Sequence, residues 1–238
     1  MMAVFLLFTG EVSVSDAQMN EVPREVQEEQ LANLVLSGRV LWHLWHQAPR
    51  KEVLAELAAF LKEWPLGEDR EDVQAGLALM MSGLLEELPA LALDYADLFV
   101  GPNALKAAPW GSVYMTEEQT TFGESTLEVR AFYHQYGMEI ETGEREPDDH
   151  IGLMFAFLAW LGDQGLEQEE AEPLQPYFCS LRSFLSEHML PWAPRLCELV
   201  EQEATTDFYK GLGKLTAGVM ATLAELTGAE PKPARLYR

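Results

Sequence analysis

Apolar residues recur every three to four positions along most of this chain, which is the spacing of amphipathic α-helices. Between Pro23 and Pro49 the pattern is strong, because only one glycine and no further proline interrupt it. The same spacing predicts helices after Pro49 and over residues 69–88, 90–100, 125–136, 148–161, 168–189, 192–203 and 206–227. No segment alternates apolar and polar residues between turn signals, so no strand is predicted. The pattern predicts an all-α fold, a single compact globular domain of about nine to eleven helices.

The predicted helix over residues 148–161 is the most apolar in the chain. From Ile151 onward it is apolar nearly all round, which is typical of a helix buried on every side. Gly162 and Gly165 are predicted to end it. We therefore expect this helix to lie at the centre of the domain.

One long stretch breaks the helical pattern. Residues 101–114 contain two glycines and two prolines, so they cannot be helical throughout. The stretch also carries Trp110, Val113 and Tyr114, whose apolar content argues against disorder. Long helix-free stretches inside a compact domain are commonly functional. We predict a folded loop that forms a surface.

Residues 1–18 are less periodic than the rest and are predicted to be an N-terminal extension outside the helical domain of residues 19–238. Met19 is a second plausible start, so the extension could reflect the choice of start site. The apolar run at residues 4–8 has no preceding positive charge and is a poor signal peptide. No run approaches the ~20 apolar residues of a membrane span. We expect a cytoplasmic protein with no stable membrane insertion.

The charge balance narrows the choice of partners. There are 39 Asp and Glu against 16 Lys and Arg, a net charge of −23. This charge disfavours nucleic acids and anionic membranes, and it favours basic partners such as a cationic peptide segment. Acidity that serves solubility alone is the alternative explanation.

Motifs for metal, nucleotide or covalent chemistry are weak or absent. His43 and His46 share a helix face, but surface histidines are a better interpretation than a metal site. Residues 211–214, Gly-Leu-Gly-Lys, lack the spacing of a phosphate-binding loop. Cys179 and Cys197 have apolar neighbours and are predicted to be inert thiols. We predict no catalytic residue, metal or cofactor.

The acidic run that ends in Asp149 and His150 precedes the most apolar helix. It is either an ordinary helix cap or a ligand site, in which Asp149 accepts two hydrogen bonds from a guanidinium group. An acid/base pair is a third reading, although no further group is visible that would complete an enzyme. The sequence does not fix whether this helix start touches the loop.

Four aromatic residues lead into the loop or lie within it: Tyr95, Phe99, Trp110 and Tyr114. Ordinary core packing is the better interpretation for Phe99. Trp110 stands between Pro109 and Gly111, where burial on a regular element is difficult. A half-exposed Trp in such a loop is a reasonable anchor for a peptide.

Several ordered motifs resemble the TorD/DmsD family of redox-enzyme maturation chaperones. They are Tyr-Ala-Asp-Leu-Phe-Val-Gly-Pro at 95–102, Pro-Trp-Gly-Ser-Val-Tyr at 109–114, Phe-Gly-Glu-Ser-Thr-Leu at 122–127, Glu-Pro-Asp-Asp-His-Ile-Gly at 146–152, His-Met-Leu-Pro-Trp at 188–192, Asp-Phe-Tyr-Lys-Gly-Leu-Gly at 207–213 and the final Leu-Tyr-Arg. The resemblance covers residues 95–238 firmly and the N-terminal helices only by pattern.

The resemblance implies an all-helical chaperone without catalysis. Its partner would be the twin-arginine signal peptide of a molybdoenzyme precursor of the dimethyl sulfoxide or trimethylamine N-oxide reductase class. The chaperone would hold this precursor until its molybdenum cofactor is inserted and then release it to the Tat export machinery. The implied peptide-binding residues are Tyr95, Phe99, Pro109, Trp110, Tyr114, Asp149 and His150.

One departure and two alternatives remain. Tyr95 and Tyr114 stand where relatives can have Trp, so leader specificity could differ. A NarJ-type assembly chaperone for a non-exported subunit is one alternative. A nucleotide-binding protein or hydrolase that uses Asp149 and His150 is the other. The sequence leaves both a monomer and a dimer open, and nothing in it demands a dimer.

Overall fold

The computed structural model describes residues 22–139 and 146–238, so the predicted extension at residues 1–18 and the second start at Met19 lie outside the described residues. The described residues form ten α-helices and no β-strand, which confirms the all-α prediction. The helices are α1 (Arg24–His46), α2 (Lys51–Lys62), α3 (Glu71–Gly83), α4 (Leu88–Tyr95), α5 (Gly111–Met115), α6 (Glu124–Gln135), α7 (Ile151–Leu166), α8 (Gln175–Phe184), α9 (Ala193–Glu203) and α10 (Asp207–Thr227). Two π-helical turns, Ala96–Val100 and Leu185–Met189, continue α4 and α8.

Helix α7 is buried on nearly every side, as its apolar run predicts, and it packs along α1. The prediction that Gly162 and Gly165 end this helix is wrong, because α7 continues to Leu166. A Cβ on Gly162 would lie 2.8 Å from the Val35 Cγ2 atom of α1. A Cβ on Gly165 would lie 2.7 Å from the Leu31 Cδ1 atom. These glycines let two helices approach closely instead of stopping one of them.

Helices α3 and α10 form a second closely packed pair, and α9 packs on α10. A Cβ on Gly211 of α10 would lie 2.6 Å from the Met80 backbone nitrogen of α3. The glycines at residues 211 and 213 therefore lie inside a helix and not in a phosphate-binding loop.

Some predicted helix bounds are wrong where prolines and turns intervene. The helix predicted over residues 69–88 ends at Gly83, and α4 then begins at Leu88 with a proline in its first turn. The helix predicted over residues 168–189 begins only at Gln175, again with a proline in its first turn. Proline favours the first turn of a helix because its missing N–H group is not needed there.

The loop prediction also needs a correction. Residues 101–110 are non-helical, but Gly111–Met115 form the one-turn helix α5. This turn carries Val113 and Tyr114 into the core. Only the first part of the stretch, with Trp110 at its end, therefore remains an irregular surface loop.

Within residues 22–139 and 146–238, no helix is both long enough and apolar enough to cross a bilayer.

Candidate functional site

The loop and the start of α7 touch through their backbones. Trp110 and His150 form an isolated antiparallel β-bridge. The Gly111 N–H donates to the Asp149 carbonyl oxygen at 3.1 Å, and the Ile151 N–H donates to the Pro109 carbonyl oxygen at 2.8 Å. The bridge joins two segments about 40 residues apart in sequence and fixes Trp110 beside the helix start.

The carboxylate of Asp149 is fully buried, and its hydrogen bonds join the start of α7 to α5 and α6. Its Oδ2 atom accepts from the Ser112 N–H of α5 at 2.5 Å and from the Ser125 hydroxyl at 3.4 Å. Its Oδ1 atom accepts from the Thr126 hydroxyl at 2.9 Å. Burial raises the pKa of the Asp149 carboxyl, and these hydrogen bonds oppose that rise. Both carboxylate oxygens thus serve internal donors, and neither faces outward for a guanidinium group.

The neighbouring carboxylate, Asp148, is also used internally. Its Oδ2 atom accepts from Nη2 of Arg130 at 2.6 Å and from Nε at 2.9 Å. Its backbone carbonyl oxygen accepts from the Tyr133 hydroxyl at 3.1 Å. The two aspartates therefore fasten α6 to the start of α7.

His150 caps α7, and its ring takes no part in the Asp149 hydrogen bonds. Its Nδ1 atom accepts from the Gly152 N–H at 3.0 Å. Its ring lies between His46 and Trp110, with centroid distances of 5.3 Å and 6.0 Å. Burial, and secondarily His46, lower the pKa of His150 to about 3, so the ring is neutral. Asp149 and His150 are adjacent in sequence but do not form the acid/base pair that a hydrolase would use.

The buried His150 predicts a loss of stability on mild acidification. The pKa of His150 falls from 6.5 to about 3 on folding, so below pH 6.5 the unfolded chain binds a proton that the folded chain excludes. Lowering the pH from 6.5 to 5 should reduce the free energy of unfolding by about 2 kcal/mol through this residue. His188, whose pKa is lowered to about 4, acts in the same direction. Urea unfolding at both pH values should therefore show a smaller loss in His150→Asn than in the unmodified protein. The exposed His134→Gln is the matched control, and identical losses in all three proteins would contradict the prediction.

Trp110 is the one residue among the seven predicted site residues that is not buried. Its Nε1–H donates to Oε1 of Glu146 at 2.5 Å. Burial, and secondarily the charge of Glu146, raise the pKa of the Tyr95 hydroxyl to about 12. Trp110 and Glu146 therefore meet at one partly exposed place.

Tyr95 and Phe99 are both buried, and core packing is confirmed for Phe99. Their rings lie 5.4 Å apart, and Phe99 also contacts Trp45 of α1 at 5.2 Å. Pro109, which precedes Trp110 in the loop, is also buried. These three residues belong to the packed interior.

Tyr114 lies in the core. It is fully buried and stacks on Trp192 with a centroid distance of 5.4 Å. Its carbonyl oxygen accepts from the Tyr237 N–H at 2.9 Å, so the C-terminal segment packs against α5. The geometry gives Tyr114 a packing role.

Sequence reasoning missed two contributors to the site. Glu146 opens the Glu-Pro-Asp-Asp-His run but was not among the predicted site residues. The end of α1 is the other, because half-buried His46 contacts His150 and exposed Trp42 lies one turn before it. The clustering of Trp and His in Trp-His-Leu-Trp-His at 42–46 was the available signal.

Metal and thiol chemistry gain no support from the geometry. Over the described ranges no three His, Cys, Asp or Glu side chains are grouped to hold a metal ion. Cys197 is fully buried, and burial raises the pKa of its thiol.

Comparison with known proteins gives one family and several relatives. The model of the nitrate reductase delta subunit family matches residues 46–198. A Haemophilus influenzae protein named probable Tat proofreading chaperone DmsD is 32% identical over 192 residues, covering 78% of this chain and 87% of its own length. The Salmonella typhi Tat proofreading chaperone DmsD is 32% identical over 195 residues, covering 79% and 88%. The Vibrio vulnificus chaperone protein TorD is 28% identical over 125 residues, covering 52% and 58%.

Proposed function

The chain belongs to the nitrate reductase delta subunit family, and on that premise we propose that it is a cytoplasmic chaperone for a redox-enzyme precursor. Its ligand is the twin-arginine signal peptide of a molybdoenzyme of the dimethyl sulfoxide or trimethylamine N-oxide reductase class. It holds the precursor until the molybdenum cofactor is inserted and before Tat export, and it performs no catalysis. The names of its relatives, Tat proofreading chaperones, support this role.

The observation that carries the proposal is the pairing of Trp110 with Glu146 at 2.5 Å, beside the ring of His150. A twin-arginine leader combines arginines with an apolar segment. A half-exposed indole provides apolar contact area, and a carboxylate beside it accepts hydrogen bonds from a guanidinium group. Trp110 can therefore contact the apolar segment of the leader, and Glu146 beside it can bind an arginine.

The seven predicted site residues take different roles, depending on whether their side chains are exposed or buried. Trp110 contacts the peptide, and Glu146 takes the arginine-binding role that the sequence suggested for Asp149. Tyr95, Phe99 and Pro109 support the apolar surface from inside. Asp149 and His150 hold α5 and the loop against α7, through the backbone bridge and the Asp149 hydrogen bonds. Tyr114 packs α5 against Trp192 and the C-terminal segment.

The overall charge of −23 supports the same ligand, because an acidic surface attracts a leader that carries two arginines. Exposed ion pairs contribute only about 0–1 kcal/mol each. Apolar contact should therefore dominate affinity, and charge should mainly raise the association rate.

Glu146→Gln tests the arginine-binding half of the site. The substitution keeps the size of the side chain and an acceptor for the Trp110 indole but removes the charge. We expect affinity for a synthetic twin-arginine leader to fall about three- to fivefold, since a partly exposed pair is lost. Isothermal titration calorimetry measures the change. A leader with both arginines replaced by lysine is the control, because a lysine cannot form the bidentate pair and should lose less from Glu146→Gln. An unchanged affinity for the arginine leader would argue against Glu146 as the acceptor.

The family description favours one second candidate, an assembly chaperone of the NarJ type that binds a non-exported enzyme subunit. Affinity purification of the tagged protein from its own cells separates the two. A captured molybdoenzyme with a twin-arginine leader supports the first proposal, and a captured subunit without one supports the second.

A further inference from the structure

A second groove lies between α6, α8 and the C-terminal segment, and the site at Trp110 does not use it. Its cavity volume is about 430 Å³, which lies in the usual range of ligand sites. Glu128, Phe132 and Tyr136 line one wall, and the other includes Ser180, Glu187 and His188. A hydrogen bond of 2.6 Å from the Tyr136 hydroxyl to the Ser180 Oγ atom joins the two walls.

Helix α6 separates this groove from the site at Trp110. Thr126, Arg130 and Tyr133 of α6 bond to the two aspartates before α7. The groove is lined instead by Phe132 of α6 and by Tyr136, which directly follows this helix. The two places share no lining residue, so a ligand in one does not require a ligand in the other.

His188 brings into the groove ring nitrogens that lack a partner among the described residues. It is only 9% exposed, and its ring packs on Phe132 and Phe184 with centroid distances of 5.3 Å and 5.4 Å. Its ring nitrogens form no hydrogen bond with any residue in the described part of the chain. Burial and the charge of Lys232 lower the pKa of this ring to about 4, so it is neutral and keeps one acceptor nitrogen. The ring nitrogens are not fully buried, so they can accept a hydrogen bond from solvent or from a ligand in the groove.

The charges around the groove favour a cation. Glu128 and Glu187 stand exposed on opposite walls, and neither forms an ion pair with a described residue. Lys232 lines the same groove and is likewise without an ion pair among the described residues. Two carboxylates against one ammonium leave the groove negative. The half-exposed ring of Tyr136 adds an aromatic surface that a cation can approach.

We propose that this groove binds a basic peptide segment, with one arginine side chain seated between Glu128 and Glu187 against Tyr136. The guanidinium group donates to both carboxylates and to the free acceptor nitrogen of His188. A planar guanidinium suits this place better than an ammonium, because it stacks on an aromatic ring and donates in several directions at once.

NMR titration of the isotope-labelled full chain with the capped dipeptide acetyl-Arg-Arg-amide tests the proposal. We expect shifts confined to backbone amides lining the groove on α6 and α8 and to the His188 ring. The double variant Glu128→Gln/Glu187→Gln should bind the dipeptide about three- to tenfold more weakly, since two exposed pairs are lost. Lys232→Ala should bind it more tightly, because a like charge is removed. All three substituted side chains are exposed, so the fold should be retained.

Glu52→Gln/Glu56→Gln is the matched control, because it makes the same charge change at two exposed positions on α2. It should leave the dipeptide affinity unchanged. An equal loss in this control, or shifts outside the groove, would overturn the proposal. Tighter binding of acetyl-Glu-Glu-amide, abolished by Lys232→Ala, would assign the groove to anions instead. Trp110→Ala should leave the groove shifts intact, so failure here and failure of the leader-binding proposal are distinguishable.

Discussion

Trp110→Ala should weaken binding of a twin-arginine leader about 30- to 100-fold, which corresponds to about 2–3 kcal/mol. The indole is half-buried, and the β-bridge to His150 holds its backbone in place. An aromatic anchor on a rigid backbone loses little entropy on binding, and removing it forfeits most of the apolar contact area. Titration calorimetry on the purified full chain measures the change.

Two further variants make this result specific. Trp110→Phe keeps an aromatic ring but loses the indole N–H that bonds to Glu146, so it should fall between the Ala variant and the unmodified protein. Leu85→Ala truncates an apolar side chain that is 88% exposed elsewhere, and it should bind normally. Normal binding by Trp110→Ala would remove Trp110 from the site.

Asp149→Ala should lower the free energy of unfolding by about 3–5 kcal/mol. The substitution leaves the Ser112 N–H and the Thr126 hydroxyl buried without their acceptor. Each buried donor without a partner costs about 1–3 kcal/mol, and the cavity adds to that. Leader binding should fall as well, because the loop loses its attachment to α6 and α7. Chemical denaturation measures the stability loss.

Asp163→Ala is the matched control for this prediction. Asp163 also accepts a hydrogen bond, from Arg39 at 2.6 Å, but both side chains are partly exposed. The control should therefore lose less than about 1 kcal/mol. If Asp149→Ala kept full stability and lost only leader binding, Asp149 would contact the ligand directly, as the sequence alone suggested.

Asp149 shows why the candidate site could be read only in part from the sequence. The Asp-Asp-His run before an apolar helix marks a special helix start, and that much is local. The donors that occupy Asp149 come from residues 37 and 23 positions earlier, Ser112 and Thr126. Nothing in the local pattern indicates which carboxylate such distant groups will surround, so the sequence suggested Asp149 as the acceptor for a guanidinium group and passed over Glu146.

Trp110 is a site residue whose exposure the local sequence did predict. A Trp between a proline and a glycine is difficult to bury on a regular element, so its partial exposure followed from local chemistry. Tyr114, four residues later, was placed with it but enters the one-turn helix α5 and stacks on Trp192. The stack depends on Trp192, which directly precedes α9 and lies about 80 residues away, so no local pattern indicates it.

By itself the sequence determined the all-α fold, the central position of α7 and the family resemblance. Helical periodicity is a local property of 3.6 residues per turn, and ordered motifs can be read directly along the chain. The tertiary structure alone decided that Gly162 serves packing, that Asp149 faces inward while Glu146 remains partly exposed, and that α6 and α8 enclose a groove. The physical reason is that burial, hydrogen-bond partners and cavities depend on groups far apart in sequence, which only the packed helices bring together.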